Sequence, residues 1–550
     1  MTLEVHFCTD SYYRTMTGPM KLKSMVRMTG IEHMTTARQA AGSVALANMK
    51  SRIVEKLLRK YTWVTVSFIA MVIVFPMLVM NRAVSETGTD IKAETVREES
   101  RVPDQSKVQT TEDPDDGTLN YWLSSIMERI HQERGTMQRL LRDMNIGRNH
   151  TLTSAVRNVG NITRLEEVLT NVVQTRRTMR IGVVGGSISA GGGISCKECV
   201  FSYILGESLQ RVLGSPVETH NAAVGATDSR YYTYCLETHL DARDMDLILW
   251  ELSANDYNKG LPPSAQEELT RAILELPNQP QLVYANFIFG KQMRQRTCIN
   301  SEDNGGHELS VYYDVPSLSL KGVLCHRIMK GQTDELVAND ENHPSSTVHT
   351  LMAMVLKSFI MDSLEKVIMR LMDNGNVSQH FSEIDRTQIP DDMPTAKAGR
   401  ILHRPLFNDT FISHAQCWSS LLPQFGTGTY LMPTASQGWR SVALTGAVNM
   451  NRTDSKKCWI TSKQGMVIVF PLYIKPYRNL SCTVALTTLT CDDCGAVKVH
   501  MDNEVNQTVI VDSKYTAKVT HTHNVAMMSP QEDTTSRWRQ STANFSNWLQ

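Results

Sequence analysis

Residues 180–193 read Arg-Ile-Gly-Val-Val-Gly-Gly-Ser-Ile-Ser-Ala-Gly-Gly-Gly, and this stretch decides the fold. Its apolar run, 181–184, stops at Gly185 and Gly186, and a helical pattern follows at 200–213. An apolar run that breaks at glycines and leads into a helix reads as strand, tight turn and helix start. Ser187 lies in that turn. Open α/β sheets bind ligands just beyond the carboxyl ends of their strands, so Ser187 is the residue to explain.

Outward from this stretch the same texture repeats. Strand-like runs at 217–220, 246–251 and 281–287 alternate with helix-like runs at 229–240 and 264–276. Such alternation implies a parallel sheet with helices on both faces. A long polar loop, a candidate lid, is expected over 290–315, and a long helix over 345–372 closes the domain. Apolar residues at helical spacing over 119–142 and 164–174 predict a helical lead-in. Farther on, short β-type runs at 466–473, 482–488, 497–501 and 508–512 are separated by turn residues, as in a β-sandwich.

Residues 62–80 carry no charge over 19 positions, about the length that crosses a bilayer core. Lys50, Arg52, Lys56, Arg59 and Lys60 crowd the amino side, whereas Glu86, Asp90, Glu94, Glu98 and Glu99 follow the span. The positive-inside bias then puts the amino terminus in the cytosol. Asn149, Asn161, Asn376, Asn408, Asn451, Asn479, Asn506 and Asn544 each head Asn-x-Ser/Thr, and all follow the span. The expected organisation is a cytoplasmic tail (1–61), a transmembrane signal anchor (62–80) and a flexible stem (81–118). A helical lead-in (119–177), an α/β domain (178–375), a linker (376–412) and a β-rich domain with a loose tail (413–550) complete it. Met49 is an alternative start that keeps the span behind a short basic tail.

The 550 residues balance 56 Lys and Arg against 56 Asp and Glu, so no basic excess points to nucleic acid. Cys8 lies before the span, and ten further cysteines, from Cys196 to Cys494, follow residue 190. An even set on one side of a membrane segment suggests disulfides in an oxidising compartment. The α/β and β-rich domains hold five each, so either one bridge crosses between them or each keeps a free thiol.

Ser187 alone is weak ground for chemistry. No Lys-Ser/Thr follows as a phosphate-binding loop requires, and neither G-x-G-x-x-G nor G-x-S-x-G fits. Three later stretches add weight: Asn221-Ala-Ala-Val-Gly-Ala-Thr227, Trp250-Glu-Leu-Ser-Ala-Asn-Asp256 and Asp340-Glu-Asn-His-Pro344. A serine hydroxyl needs an adjacent base, and His343 can be one. Asp340 can accept a hydrogen bond from the other ring nitrogen and fix the tautomer.

In order and spacing these stretches resemble the four signature blocks of the SGNH (GDSL-type) hydrolases over roughly residues 180–372. The resemblance implies a flavodoxin-like, three-layer parallel sheet, in a membrane-anchored eukaryotic member with a carboxy-terminal β-rich domain. It implies Ser187, Asp340 and His343 as catalytic residues. The backbone amides of Ser187 and Gly225 and the side chain of Asn255 would form the oxyanion hole. His349 falls where many members carry a further histidine; packing on the closing helix is the plain alternative. Gly186 stands where members usually have aspartate, and Ser253 and Ala254 where glycines are common. The expected activity is a luminal or extracellular serine esterase without cofactor or metal, acting on O-acyl groups of glycans. The Golgi or the cell surface is the expected location. An O-acyltransferase, or a silent glycan-binding protein, is the alternative.

Overall fold

Alternating side chains along the central strands point to opposite faces, and both faces are apolar. Ile181, Val183, Leu247, Leu249, Val283 and Ala285 enter one buried cluster. Val184, Ile248, Trp250, Leu282 and Tyr284 enter a second. A strand apolar on both faces must be covered on both, which produces three layers. The computed structural model describes residues 116–144 and 152–374, the short runs 2–4, 7–8 and 402–407, and separate segments between 417 and 548.

The sheet of the α/β domain contains β1 (Val156–Asn158), β2 (Met179–Gly185), β3 (Val217–Asn221), β4 (Leu247–Glu251), β5 (Gln281–Asn286) and β6 (Ser317–Ser319). Its order is β1-β6-β5-β4-β2-β3. β1 runs antiparallel to β6, and every other pairing is parallel. Numbered by themselves, the five parallel strands follow the order 2-1-3-4-5, the flavodoxin-like arrangement. The order reverses beside β2, so the turn after β2 opens at the switch point where such sheets bind ligands.

One face is covered by α1 (Asp116–Asp143), α2 (Thr163–Thr175), α3 (Phe201–Leu213) and, from the far end of the domain, the 29-residue helix Ser346–Asn374. α4 (Ser229–His239) covers the other face, with α5 (Ser253–Asn258) following β4 and α6 (Pro263–Leu274) beside α4. The expected loop over 290–315 is instead largely structured. It holds α7 (Gly290–Arg294), a 3₁₀ turn at Ser301–Asp303 and α8 (Gly306–Tyr312). Cys298–Cys325 ties it to α9 (Lys321–Met329). Such short helices bury too few residues to leave a periodic signal.

Segment 402–407 lies against α6 and α8. Arg271 donates to the His403 carbonyl at 2.8 Å, and the Leu406 and Phe407 amides donate to buried Glu267 at 2.5 and 3.0 Å. Cys235 of α4 is bridged to Cys417, so one disulfide crosses between the domains.

The described carboxy-terminal strands, together with Thr2–Glu4 and Phe7–Cys8, form two five-stranded sheets and one of three strands. Val497, Val499 and Met501 are buried at alternate positions of strand Ala496–Met501, the period expected of a strand with one covered face. Trp439 is buried and Trp459 packs edge-on against Phe470, so both serve packing. Thr2–Glu4 pairs with Cys417–Ser419 and with residues 485–487, and Phe7–Cys8 pairs with residues 459–460. These pairings and a tail across a membrane from the β-rich domain exclude one another.

The expected span, 62–80, lies outside the described residues. Among the described residues no helix is long and apolar enough to cross a membrane. Of the sequons, Asn161 is exposed beside the start of α2, and Asn544 lies on strand Arg539–Trp548. Asn149, Asn376, Asn408, Asn451, Asn479 and Asn506 lie outside the described residues.

Candidate active site

Four loops at the carboxyl ends of the strands meet. After β2 the chain turns through 186–193 with Ser187 as the one half-buried residue between 181 and 192; its neighbours are buried. The turn is fastened from below. Glu251, the last residue of β4, accepts from the Ser189 amide at 3.2 Å and from the Ser189 hydroxyl at 2.7 Å. Asn221, the last residue of β3, donates to the Ser189 carbonyl at 2.7 Å. Burial pushes the Glu251 carboxyl up to about 8, against the hydrogen bonds from Ser189. This carboxyl therefore holds the loop mainly as a neutral group at pH 7.

The loop after α9 carries the expected base, His343. Leu336 and Ser345 hydrogen-bond across its neck, as do Ala338 and His343. Asp340 Oδ1 accepts from the amides of Asn342 and His343, both at 3.0 Å, which folds the four residues into a tight turn. Asp340 Oδ2 then lies 2.6 Å from His343 Nδ1, and His343 Nε2 lies 2.8 Å from Ser187 Oγ. The three expected catalytic residues thus form one continuous chain of hydrogen bonds. Burial opposes ionisation of Asp340, but hydrogen bonds from the His343 amide and ring outweigh it and hold the carboxyl below its ordinary range. An ionised Asp340 fixes the proton on Nδ1 and leaves Nε2 free to accept.

Two glycines permit this closeness. A side chain at Gly192 would start 2.8 Å from His343 Nε2, and one at Gly290 would start 2.4 Å from the His343 carbonyl oxygen. The run Gly191-Gly192-Gly193 is in this sense a seat for the base. Ser187 also has Gly225 beside it: a Cβ there would lie 3.9 Å from the serine Cβ. The loop around Gly225 is stitched to β2 by Tyr232. Its hydroxyl oxygen accepts from the Val224 amide at 2.9 Å and lies 3.0 Å from the Gly185 carbonyl.

Asn255, in the first turn of α5, is buried, with Nδ2 2.5 Å from the Thr227 carbonyl oxygen. One amide hydrogen is committed there, which leaves the second for an oxyanion. The same side chain explains Gly186. A Cβ at 186 would start 2.3 Å from Asn255 Nδ2, so the aspartate common at this position has no room here. Ser253 and Ala254, in place of glycines, form the buried start of α5, and the Ser253 hydroxyl reaches the Phe287 carbonyl at 3.4 Å.

His349 stays apart from the triad. It is fully buried between Phe201 and Phe287, its Nδ1 accepts from the Phe201 amide at 3.3 Å, and burial pushes it down to about 3. It is a packing histidine. Cys196 and Cys199 are bridged in the turn that joins the nucleophile loop to α3. Glu251 and Tyr232 carry no motif, yet they brace the loops around Ser187. Only their places at a strand end and one helical turn inside α4 hinted at it. Among the described residues no group of acidic, histidine and cysteine side chains has the makings of a metal centre.

Neither a comparison with family models nor one with curated proteins finds a match. Among solved structures, the chain is similar to a two-domain esterase (CEX) active on acetylated mannans, at 16% identity and a TM-score of 0.47 over 73% of this chain and 94% of that one. It is also similar to a putative lipolytic protein of the G-D-S-L family from Desulfitobacterium hafniense DCB-2, at 14% identity and a TM-score of 0.25 over 33% and 99%. A third likeness is to the psychrotrophic esterase EstA from Pseudoalteromonas sp., at 18% identity and a TM-score of 0.25 over 36% and 99%.

Proposed function

We propose that this chain is a serine ester hydrolase that works through an acyl-enzyme. The observation that carries the reading is the unbroken contact from Ser187 Oγ through His343 to Asp340, 2.8 and 2.6 Å. As Ser187 Oγ attacks the ester carbonyl, His343 Nε2 takes its proton and Asp340 stabilises the imidazolium. The carbonyl oxygen becomes an oxyanion beside the Ser187 and Gly225 amides and the spare Asn255 hydrogen, donors worth about 3–4 kcal/mol each. His343 returns the proton to the departing alcohol. Water, deprotonated by the same nitrogen, then releases the acid.

The two sides of the ester meet different surroundings. The acyl carbon lies over a buried loop, whereas the alcohol leaves past His343, next to exposed Asp340, Glu341 and Asn342. A large, hydrophilic alcohol fits that exit, so O-acyl groups on glycans are the substrate class. The disulfides suit a luminal or extracellular setting, the Golgi or the cell surface.

Hydrolysis of 4-nitrophenyl acetate and release of acetate from an acetylated glycan test the reading. Wild type should turn over both and be labelled by a fluorophosphonate, and Ser187→Ala should do neither. Equal rates in the two proteins would overturn the role of Ser187.

A further inference from the structure

Behind the Gly225 loop lies an ion pair that the serine chemistry does not use. Lys259 Nζ stands 2.7 Å from Asp228 Oδ2, and their side chains are only 3% and 4% exposed. The same ammonium donates to the Ala226 carbonyl at 2.7 Å. Ala226 has φ 66°, the left-handed region that a residue with a Cβ rarely occupies. Strain of this kind persists where the surroundings enforce it. Here it falls on the residue directly after Gly225.

The other partners of this segment are telling. The Thr227 carbonyl receives Asn255 Nδ2 at 2.5 Å. The Ser229 amide and hydroxyl donate to Asp256 at 2.9 and 2.6 Å. Asn255 and Asp256 sit in the first turn of α5, and Lys259 caps its other end. One short helix therefore grips the segment 226–229 at both of its own ends.

We propose that Lys259 is a positioning residue for the oxyanion hole. It holds the Gly225 amide at a fixed spacing from the Asn255 amide, through the strained Ala226 carbonyl and Asp228. The proposal rests on the esterase reading above and names what keeps its donors aimed. Stability alone is a poor reason for such a pair. Desolvation offsets most of the attraction, and apolar replacements of a buried ion pair are often neutral. No apolar side chain, however, can hold a carbonyl. Oxyanion donors act only when aimed at the place where charge develops, and an error of about 1 Å can cost about 100-fold in rate.

The test uses the full chain. Lys259→Met is combined with Asp228→Asn, which avoids stranding a buried carboxylate and keeps the acceptor for the Tyr231 amide that caps α4. Active sites are counted by fluorophosphonate titration to completion, so only folded protein enters the rate. With 4-nitrophenyl acetate, kcat per titrated site should fall about 10–100-fold while KM changes by less than about threefold. Lys259→Arg, which keeps charge and donors, should fall between the double variant and wild type. Rates per site within about twofold of wild type in both variants would overturn the positioning role. An inactive, unlabelled wild type would instead overturn the esterase reading, and this inference with it.

Discussion

The two halves of the site are held in opposite ways. Ser187, Gly225 and Asn255 follow three neighbouring parallel strands, on loops tied down by Glu251, Asn221, Tyr232 and Lys259, all at least largely buried. Asp340 and His343 come from a surface loop that shapes itself through its own amides and one neck of backbone hydrogen bonds. On the proposed reading, the difference follows from what each half has to do. Groups that must meet developing charge in one place belong to the sheet. The group that passes a proton to a departing alcohol must sit where the alcohol can leave.

The sharpest way to break this comparison is on the exposed half. His343→Ala should lower kcat by about 1,000-fold or more, and Asp340→Asn by up to about 10,000-fold. Melting temperature should barely move, because neither side chain carries core packing. A variant that loses stability instead of rate would show the base loop to be structural.

Next in size is Gly186→Asp on the embedded half. Its Cβ would start 2.3 Å from Asn255 Nδ2, so the amide must leave its place. A kcat loss of about 100-fold should accompany a destabilisation of about 1–3 kcal/mol, read by steady-state kinetics and thermal melting. An unchanged rate would remove Asn255 from the oxyanion hole.

The smallest effect concerns pH. Burial raises Glu251 to about 8 and Asp256 to about 7, above their ordinary values. A carboxyl raised by folding contributes stability that is complete below its unfolded value. That stability is lost as pH rises through the folded value. Melting temperature should therefore decline from about pH 5 to about pH 8. Glu251→Gln, which keeps an acceptor for Ser189, should flatten the upper part of that decline with little change in kcat. An equally steep decline would show that Glu251 does not titrate in this range.

Much of the α/β domain was readable because long apolar strands and amphipathic helices alternate, and the order Ser187, Asp340, His343 is one that triads use. The rest depended on contacts between distant segments. β1 and β6, three residues each, are too short for any period to declare itself. A lone Lys259 after a short helix looks like a surface residue, since lysines are rarely buried. Gly186 read as a departure from a pattern until the direction of the Asn255 side chain supplied the reason. The bridge Cys235–Cys417 was one of two arithmetical options, and only proximity in space decides between them.

That bridge has a topological consequence. With Cys235 and Cys417 joined, 182 positions apart, the chain from one to the other closes into a covalent ring that includes the base loop and the whole of 376–416. A single cut by a protease between 376 and 416 opens the ring without producing two molecules. The α/β domain and the β-rich domain would still travel, bind and be purified as one particle, until a reductant parts them.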